Sequence, residues 1–184
     1  MSTEELTIYL KEHYGESVFN RLLAGQQKSV LHCHGHEILR GTVAANDPFD
    51  VLFKEDQKGP IEINKLQIKF LFEAAAEASV NKLLKVEPDI RNRNLDPIPQ
   101  PGNRNHVKNK TLSPVMQERR VVFLTTLEGD LIRGLVTGFN RYEITIKLKD
   151  GTPVVVFRHA VFDLRDKKGV SLLKKAVVKR VKSR

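Results

Sequence analysis

The 184-residue sequence has no tryptophan, only two methionines and a single cysteine, Cys33. One cysteine excludes an intramolecular disulfide framework and fits a reducing compartment. The sequence also lacks the run of about 20 apolar residues that a membrane-spanning helix needs. Residues 1–16 lack the apolar region of a secretory signal. We therefore expect a soluble, cytoplasmic protein.

Acidic residues are scarce in two segments of the chain. Residues 91–110 carry five Lys or Arg and one acidic residue, and residues 165–184 carry nine Lys or Arg and one acidic residue. Residues 1–90, by contrast, have a net charge of −4. The overall net charge of +9 therefore belongs to a central segment and to the C-terminal tail. Such segments suit attraction to a polyanion such as nucleic acid, through counterion release. A solubilising tail without a dedicated partner is the alternative.

Short β-branched and apolar runs dominate what is present. These runs predict strands between residues 29 and 72 and again between residues 120 and 164. Between the two regions, residues 86–112 hold four of the eight prolines and predict a linker. The tail from Val170 to Val181 predicts either a short basic amphipathic helix or a segment that stays disordered until it is bound.

Helical composition is confined to a few short segments. Residues 3–14 predict a helix with Ser2 or Thr3 as its N-cap, and residues 73–85 predict another. Residues 16–24 predict a third, and Gly25 follows at a position that suits the positive φ of a helix C-terminus.

An internal repeat connects the two strand-rich regions. Residues 39–43 (LRGTV) match residues 132–136 (IRGLV) at an offset of 93 residues. The same offset aligns residues 49–51 (FDV) with residues 142–144 (YEI). The repeat predicts two copies of a unit of roughly 55–60 residues with about five strands. Because units this small are marginally stable alone, we expect them to associate.

The second copy resembles the bacterial Hfq branch of the Sm-like family of RNA-binding proteins. Residues 129–142 (GDLIRGLVTGFNRY) are similar to the family's first motif, a bent strand with a central glycine followed by Phe-Asp-polar-aromatic. Residues 157–161 (FRHAV) are similar to the second motif, an aromatic followed by Lys-His-Ala and a β-branched residue. The resemblance covers residues 115–164 and extends through the repeat, with weaker motifs, to residues 17–72.

The resemblance implies an all-β fold with appended helices, built from two Sm-like (SH3-like), strongly bent five-stranded antiparallel barrels. It divides the chain into an N-terminal helix (1–16), a degenerate Sm-like domain (17–72), a helix and Pro-rich linker (73–112), an Hfq-like Sm domain (113–164) and a basic tail (165–184). In the family, barrels join edge to edge into a ring, which removes exposed strand edges. Two barrels per chain would let a trimer close as a pseudo-hexamer.

The resemblance also implies an RNA-binding pocket in the second copy. Tyr142 corresponds to the aromatic that stacks on a base, Arg158 and His159 to contacts with the base edge and phosphate, and Arg141 to a polar position facing the base. Asn140, a further candidate contact with RNA, stands where the family has Asp, so we expect the bracing of this loop to differ. From periodicity alone, Tyr142 would be a half-buried strand aromatic and His159 a hydrogen-bonded structural histidine. Recognition of single-stranded RNA uses aromatics and cations together.

The first copy keeps part of this pattern. It retains an aromatic at Phe49 and a cation at Lys65, but Leu66 replaces the motif's histidine, and Asp47-Pro48 makes the preceding loop more acidic and stiffer. We expect this copy mainly to build the ring, with weak base stacking on Phe49. The family's N-terminal helix corresponds to residues 16–24 before the first copy and to a shortened remnant around residues 114–120 before the second.

Residues 32–36 (HCHGH) are the one cluster of metal-ligating residue types in the sequence. On a strand, His32 and His34 share a face while Cys33 points away, so we expect neither a metal site nor another cofactor. No phosphate-binding glycine loop or local catalytic motif occurs, and we do not expect an enzyme.

The sequence predicts a protein that binds single-stranded, uridine-rich RNA as an RNA chaperone or post-transcriptional regulator. A ring-forming assembly scaffold, whose basic tail docks an acidic protein partner, is the alternative.

Overall fold

A computed structural model of the protein describes residues 3–13 and 15–173. Within them, eleven strands form one antiparallel sheet that five α-helices accompany. The strands are β1 (Lys28–Cys33), β2 (Ile38–Asn46), β3 (Asp50–Glu55), β4 (Gly59–Asn64), β5 (Ile68–Glu73), β6 (Lys85–Val86), β7 (Val121–Thr126), β8 (Asp130–Phe139), β9 (Glu143–Lys147), β10 (Pro153–Phe157) and β11 (Val161–Arg165). The helices are α1 (Thr3–His13), α2 (Val18–Gly25), α3 (Glu77–Leu83), α4 (Pro88–Arg91) and α5 (Asn109–Gln117). Ser2 as an N-cap, and the predicted tail helix beyond residue 173, lie outside the described residues.

The strand order repeats itself halfway along the sheet. The first half is ordered β5-β1-β2-β3-β4 and the second half β11-β7-β8-β9-β10. β5 pairs with β10, and we call this joint between the halves the seam. The fold is mostly β with accessory helices, as predicted. The sequence predicts two barrels, whereas the strand pairing forms one continuous open sheet.

Irregularities of the backbone recur at the spacing of the sequence repeat. A bulge shifts the pairing of β2 between Val43 and Ala45, and the corresponding bulge of β8 lies between Val136 and Gly138. Bulges bend a strand and increase its twist. Gly41 and its counterpart in β8 pass so close to the carbonyl oxygen of a lysine on the next strand that a Cβ atom would overlap it. The repeat in the sequence therefore has a counterpart in backbone geometry.

The hydrophobic cores of the two halves interlock across the seam. Val155 and Phe157 of β10 pack in the core of the first half, where α2 contributes Phe19, whose ring stacks on Phe157 with centroids 5.4 Å apart. Conversely, Phe70 and Phe72 of β5 pack in the core of the second half. Each half therefore completes its core with side chains from the other, which favours a fixed seam.

A buried ion cluster also lies at the seam. Lys69, 1% exposed, is the extra residue in a bulge of β5, and its ammonium lies 2.5 Å from the carboxylate of Glu128 and 2.8 Å from that of Asp130. Burial acts to raise the pKa of each acid, but the charge and hydrogen bonds of Lys69 hold both pKa values below their ordinary range. Glu128 also accepts the N–H of Gly35 at 2.7 Å. The first half thus supplies the cation and the second half the anions.

Several predicted boundaries are wrong in detail. Gln26, not Gly25, adopts the left-handed conformation after α2, with φ of 48°. β1 ends at Cys33, and His34–His36 form a 3-10 turn instead of continuing the strand. Local hydrogen bonding in these turns competes with the extended backbone that the apolar run predicts.

The predicted linker holds more regular structure than its composition indicates. Within the predicted helix over 73–85, α3 spans only Glu77–Leu83, and residues 85–86 pair with β8. The segment also forms the short helix α4, and α5 begins at Asn109, before the remnant predicted around residues 114–120. Val107 and Leu112 are buried in the second core, so the linker is anchored there. No helix in the described ranges is long and apolar enough to cross a membrane.

Candidate functional site

The turn between β8 and β9 carries the predicted base-stacking residue and is braced by Asn140. The side-chain oxygen of this buried residue accepts the N–H groups of Tyr142 and Glu143, both at 2.8 Å. Its amide nitrogen donates to the carbonyl oxygen of Glu16 at 2.8 Å. The amide therefore braces the turn and adds a donated hydrogen bond that a carboxylate cannot make. This places Asn140 beneath the turn, away from solvent, and its predicted contact with RNA stays a prediction.

Tyr142 presents its ring to solvent. The residue is 59% exposed, and the guanidinium carbon of Arg141 lies 5.1 Å from the ring centroid. Periodicity alone predicts a half-buried ring at this position, and the ring is more exposed than that. The stacking role that the motif implies stays a prediction. An aromatic beside a guanidinium offers a flat, positively charged surface.

Arg158 is brought close to Tyr142 but is bonded to the linker. Its backbone N–H donates to the Tyr142 carbonyl at 2.8 Å, while its guanidinium donates at 2.8 Å each to the Val107 carbonyl and the Asn109 side-chain oxygen. Burial lowers the pKa of Arg158 to about 10, which leaves the group charged at neutral pH. The predicted contact of Arg158 with RNA stays a prediction, because its side chain already has two protein acceptors.

His159 faces the first half of the protein. Its Nε2 lies 3.0 Å from the carbonyl oxygen of Ile68, and its ring stacks on Phe157 with centroids 5.7 Å apart. Since a carbonyl only accepts, we assign the proton to Nε2. Burial lowers the pKa of His159 to about 4, so the ring is neutral at neutral pH. Its role in RNA binding also stays a prediction, and any such contact would be made by an uncharged ring.

Phe49 occupies the position in the first half that Tyr142 has in the second. The Phe49 side chain is 76% exposed, and its backbone carbonyl accepts the N–H of Lys65 at 2.9 Å. The Lys65 ammonium bonds the carbonyl oxygen of Asp47 and lies 5.5 Å from the centroid of the Phe19 ring. The first half therefore exposes its aromatic but ties its cation to its own loop.

The N-terminal helices contact the turn that carries Tyr142, which sequence reasoning missed. The Glu143 carboxylate accepts the N–H of Val18, the first residue of α2, at 3.0 and 3.2 Å. The Tyr9 hydroxyl of α1 accepts the N–H of Phe139 at 2.9 Å. Burial raises the pKa of Glu143. Both contacts span well over a hundred residues of sequence, so no local pattern indicates them.

The histidine-rich segment is packed into the protein. His32 stacks on Phe70 with ring centroids 4.3 Å apart, and burial lowers its pKa to about 4. Cys33 is buried, which raises the pKa of its thiol to about 12. Among the described residues, no group of three metal-ligating side chains comes together.

A second surface, which sequence analysis did not single out, lies over β7, β8 and β9. Phe123 and Arg133 face each other across β7 and β8, and the guanidinium carbon lies 5.4 Å from the ring centroid. Lys85, Lys147 and Lys149 add exposed cations around a cavity of about 420 Å³. The residues that line this basic groove include no carboxylate in the described part of the chain. Its cations come from separate segments, so no charge run in the sequence indicates it.

Comparison with known proteins gives matches only among solved structures. No protein-family profile matches the chain, and no curated protein matches it. Among solved structures, the chain is similar to the 1.55 Å crystal structure of the pleiotropic translational regulator Hfq, at 17% sequence identity and a TM-score of 0.30. The match covers 32% of this chain and 97% of that one.

Proposed function

We propose that the chain is a tandem Sm-like protein that binds single-stranded RNA. The observation that carries the proposal is an exposed aromatic side chain at the same turn in each half: Phe49 is 76% and Tyr142 is 59% exposed. Leaving a large apolar ring in water forgoes the free energy of its burial. Unpaired bases are recognised by stacking on such rings. Two equivalent rings therefore form a repeated surface for bases.

Exposed positive charge on the second half supports a polyanionic ligand. Arg141 lies against Tyr142, and the basic groove around Phe123 and Arg133 supplies four cations on another part of the second half. Cations placed beside aromatics let one strand stack its bases while its phosphates are neutralised. Uridine-rich RNA is the first ligand to test, because the second-half motifs resemble those of a uridine-binding pocket.

Ring assembly is part of the proposal. Inside the chain, the seam joins the fifth strand of one half to the fourth strand of the other. The outer strands of the whole sheet are β11 and β4, a fifth and a fourth strand again. Three chains joined from β11 to β4 would close a ring of six units without exposed edges. In this arrangement the chain acts as a binding protein and not as an enzyme.

Fluorescence anisotropy with labelled oligo-U and oligo-A tests RNA binding. Since stacking of one base contributes about 1–3 kcal/mol, Tyr142→Ala should weaken oligo-U binding by roughly 5- to 150-fold. Phe49→Ala should have a smaller effect. Ile38→Ala, which trims a 40% exposed side chain on another strand, is the matched control and should leave the affinity unchanged.

Two outcomes would contradict the proposal. Equal affinities for the wild type, Tyr142→Ala and Phe49→Ala would exclude base stacking at these turns. Binding that disappears only when residues 174–184 are removed would show attraction to a basic tail, and would favour docking of an acidic partner instead.

A further inference from the structure

The outer edge of β11 is covered by the residues that follow this strand, because the chain folds back along the edge. After Arg165 the backbone turns at Asp166–Val170, and Ser171 pairs antiparallel with Arg165. The N–H of Leu172 donates to the carbonyl of Leu164 at 2.7 Å, and the N–H of Asp166 donates to the carbonyl of Val170 at 3.0 Å. We call residues 166–173 the edge segment.

Side chains stabilise this fold-back in addition to the backbone bonds. The Asp166 carboxylate accepts the N–H groups of Lys168 and Val170 at 2.8 and 2.9 Å, which fixes the turn. The Ser171 hydroxyl donates to the Asp163 carboxylate at 2.6 Å. Leu172 and Leu173 pack against the second core. The edge segment is therefore built into the fold and is more than a chance approach of the chain end.

The seam shows what the same edge does when it is joined to a neighbouring unit. In β5, Leu71 lies opposite Val155 of β10 and Phe70 opposite Val156. At the repeat offset of 93, Leu71 corresponds to Leu164. The Leu164 carbonyl is the group that already accepts the N–H of Leu172. The position that pairs with a neighbouring strand in the first half is therefore the position that binds the edge segment in the second half.

We propose that the edge segment is an intramolecular competitor for the surface through which a second copy of this chain binds. The competing strand is β4 of the second copy. The edge segment must leave β11 before that strand can pair with it. This inference rests on the edge-to-edge assembly proposed above, but not on RNA binding.

The two outer strands of the sheet indicate that β4 of a second copy is the strand that competes with the edge segment. β4 is an outer strand with no further strand beside it in the described residues, and its counterpart at offset 93 is β10, the strand that occupies the edge of β5. Glu62 corresponds to Val155 in this alignment, which places it opposite Leu164 in the joint between copies. A second copy thus offers the same type of strand, in the same direction, as the one already bound at the seam.

Sedimentation equilibrium over a concentration series tests the proposal. A chain ending after Arg165 lacks the edge segment, whereas a chain ending after Leu173 keeps it and lacks only residues 174–184. We expect the chain ending after Arg165 to associate at least tenfold more tightly than the chain ending after Leu173. In the full chain, the double variant Asp166→Ala and Ser171→Ala should also tighten association. If circular dichroism shows that the chain ending after Arg165 is unfolded, this double variant provides the test of the proposal.

The identity of the second-copy strand is tested in the same series. Glu62→Pro removes a backbone donor from the β4 edge, and in the chain lacking the edge segment it should abolish the gain in association. Equal association of chains with and without the edge segment would overturn the proposal. It would also be overturned if removal of residues 174–184 alone tightened association to the same extent, or if the tighter association persisted in Glu62→Pro. Oligo-U anisotropy on the same samples reports RNA binding separately, so the two proposals fail independently.

Discussion

Tyr142 and Arg158 are joined by a backbone hydrogen bond, yet their side chains face different surroundings. The Tyr142 ring is open to solvent, so the proposed stacking of a base would need no rearrangement of the protein. The Arg158 guanidinium has two acceptors in the linker, Val107 and Asn109, and must exchange one of them to bind a phosphate. At the scale of residues, the proposed stacking on Tyr142 would therefore be possible in the folded protein as it stands, whereas a contact of Arg158 with phosphate would require a movement of the linker.

Replacement of Arg158 by Lys tests whether this side chain anchors the linker. A lysine keeps the charge but lacks the planar fork that reaches both acceptors. Since leaving a buried acceptor unsatisfied costs about 1–3 kcal/mol, we expect the free energy of unfolding in urea to fall by that amount. The exposed Arg141→Lys serves as the matched control and should change it by less than about 0.5 kcal/mol. Equal stability of Arg158→Lys and the wild type would contradict the anchoring role.

The pKa values of His32 and His159 predict a loss of stability in mild acid. Both are lowered from 6.5 to about 4, because burial disfavours the charged ring. As the pH falls below 6.5 the unfolded chain takes up protons that the folded chain does not, so the contribution of each neutral histidine is lost between about pH 6.5 and 4. At pH 5 the loss is about 2 kcal/mol for each residue.

Urea unfolding at pH 7 and pH 5 measures this effect. His159→Gln keeps a donor for the Ile68 carbonyl but cannot titrate. In this variant, the fall in the free energy of unfolding from pH 7 to pH 5 should be about 2 kcal/mol smaller than in the wild type. His106→Gln, at an exposed histidine, is the control. If the stability of His159→Gln depended on pH as strongly as that of the wild type, the result would contradict a buried, neutral His159.

At the scale of elements, the bend of β8 depends on Gly134. A Cβ atom there would overlap the carbonyl oxygen of Lys147 and lie 2.6 Å from a methyl group of Ile146. Since neither group can move without disturbing β9, we expect Gly134→Ala to lower the free energy of unfolding by about 3 kcal/mol or to prevent folding. Gly102→Ala, with no atom within 4 Å, is the matched control. Similar stability of the two variants would contradict this account of the bend.

The sequence predicts the strands and their repeat better than it predicts the site. Alternation and turn residues are local signals, and the offset of 93 in motifs such as LRGTV reappears in the paired bulges. By contrast, the acceptors of Arg158 lie 51 and 49 residues away, and that of His159 lies 91 residues away. Only the folded linker and the seam bring these groups together. Tyr142, by contrast, is exposed because a turn residue is positioned mainly by its own turn.

At the scale of the whole molecule, Lys69 of the first half pairs with two carboxylates of the second half across the seam. Lys69→Met leaves the carboxylates of Glu128 and Asp130 buried without their shared cation. Breaking a buried ion cluster in this way costs about 3–5 kcal/mol, which is the loss we expect in urea unfolding. Adding Glu128→Gln and Asp130→Asn to Lys69→Met should restore part of the stability. Lys28→Met, which breaks an exposed ion pair with Asp56, is the control, and an equally small effect of Lys69→Met would contradict a stabilising seam.

The seam also has a consequence for stoichiometry. In the proposed ring, every second joint is the seam within one chain. Because the linker connects the two halves, the strands of the seam meet at a high effective concentration that does not depend on the protein concentration in solution. Dilution can therefore open only the joints between β11 and β4. In the proposed ring, every closed assembly must hold an even number of five-stranded units, and Phe49 and Tyr142 must alternate around it. An RNA strand following that ring would meet phenylalanine and tyrosine in turn, with a repeat of two units.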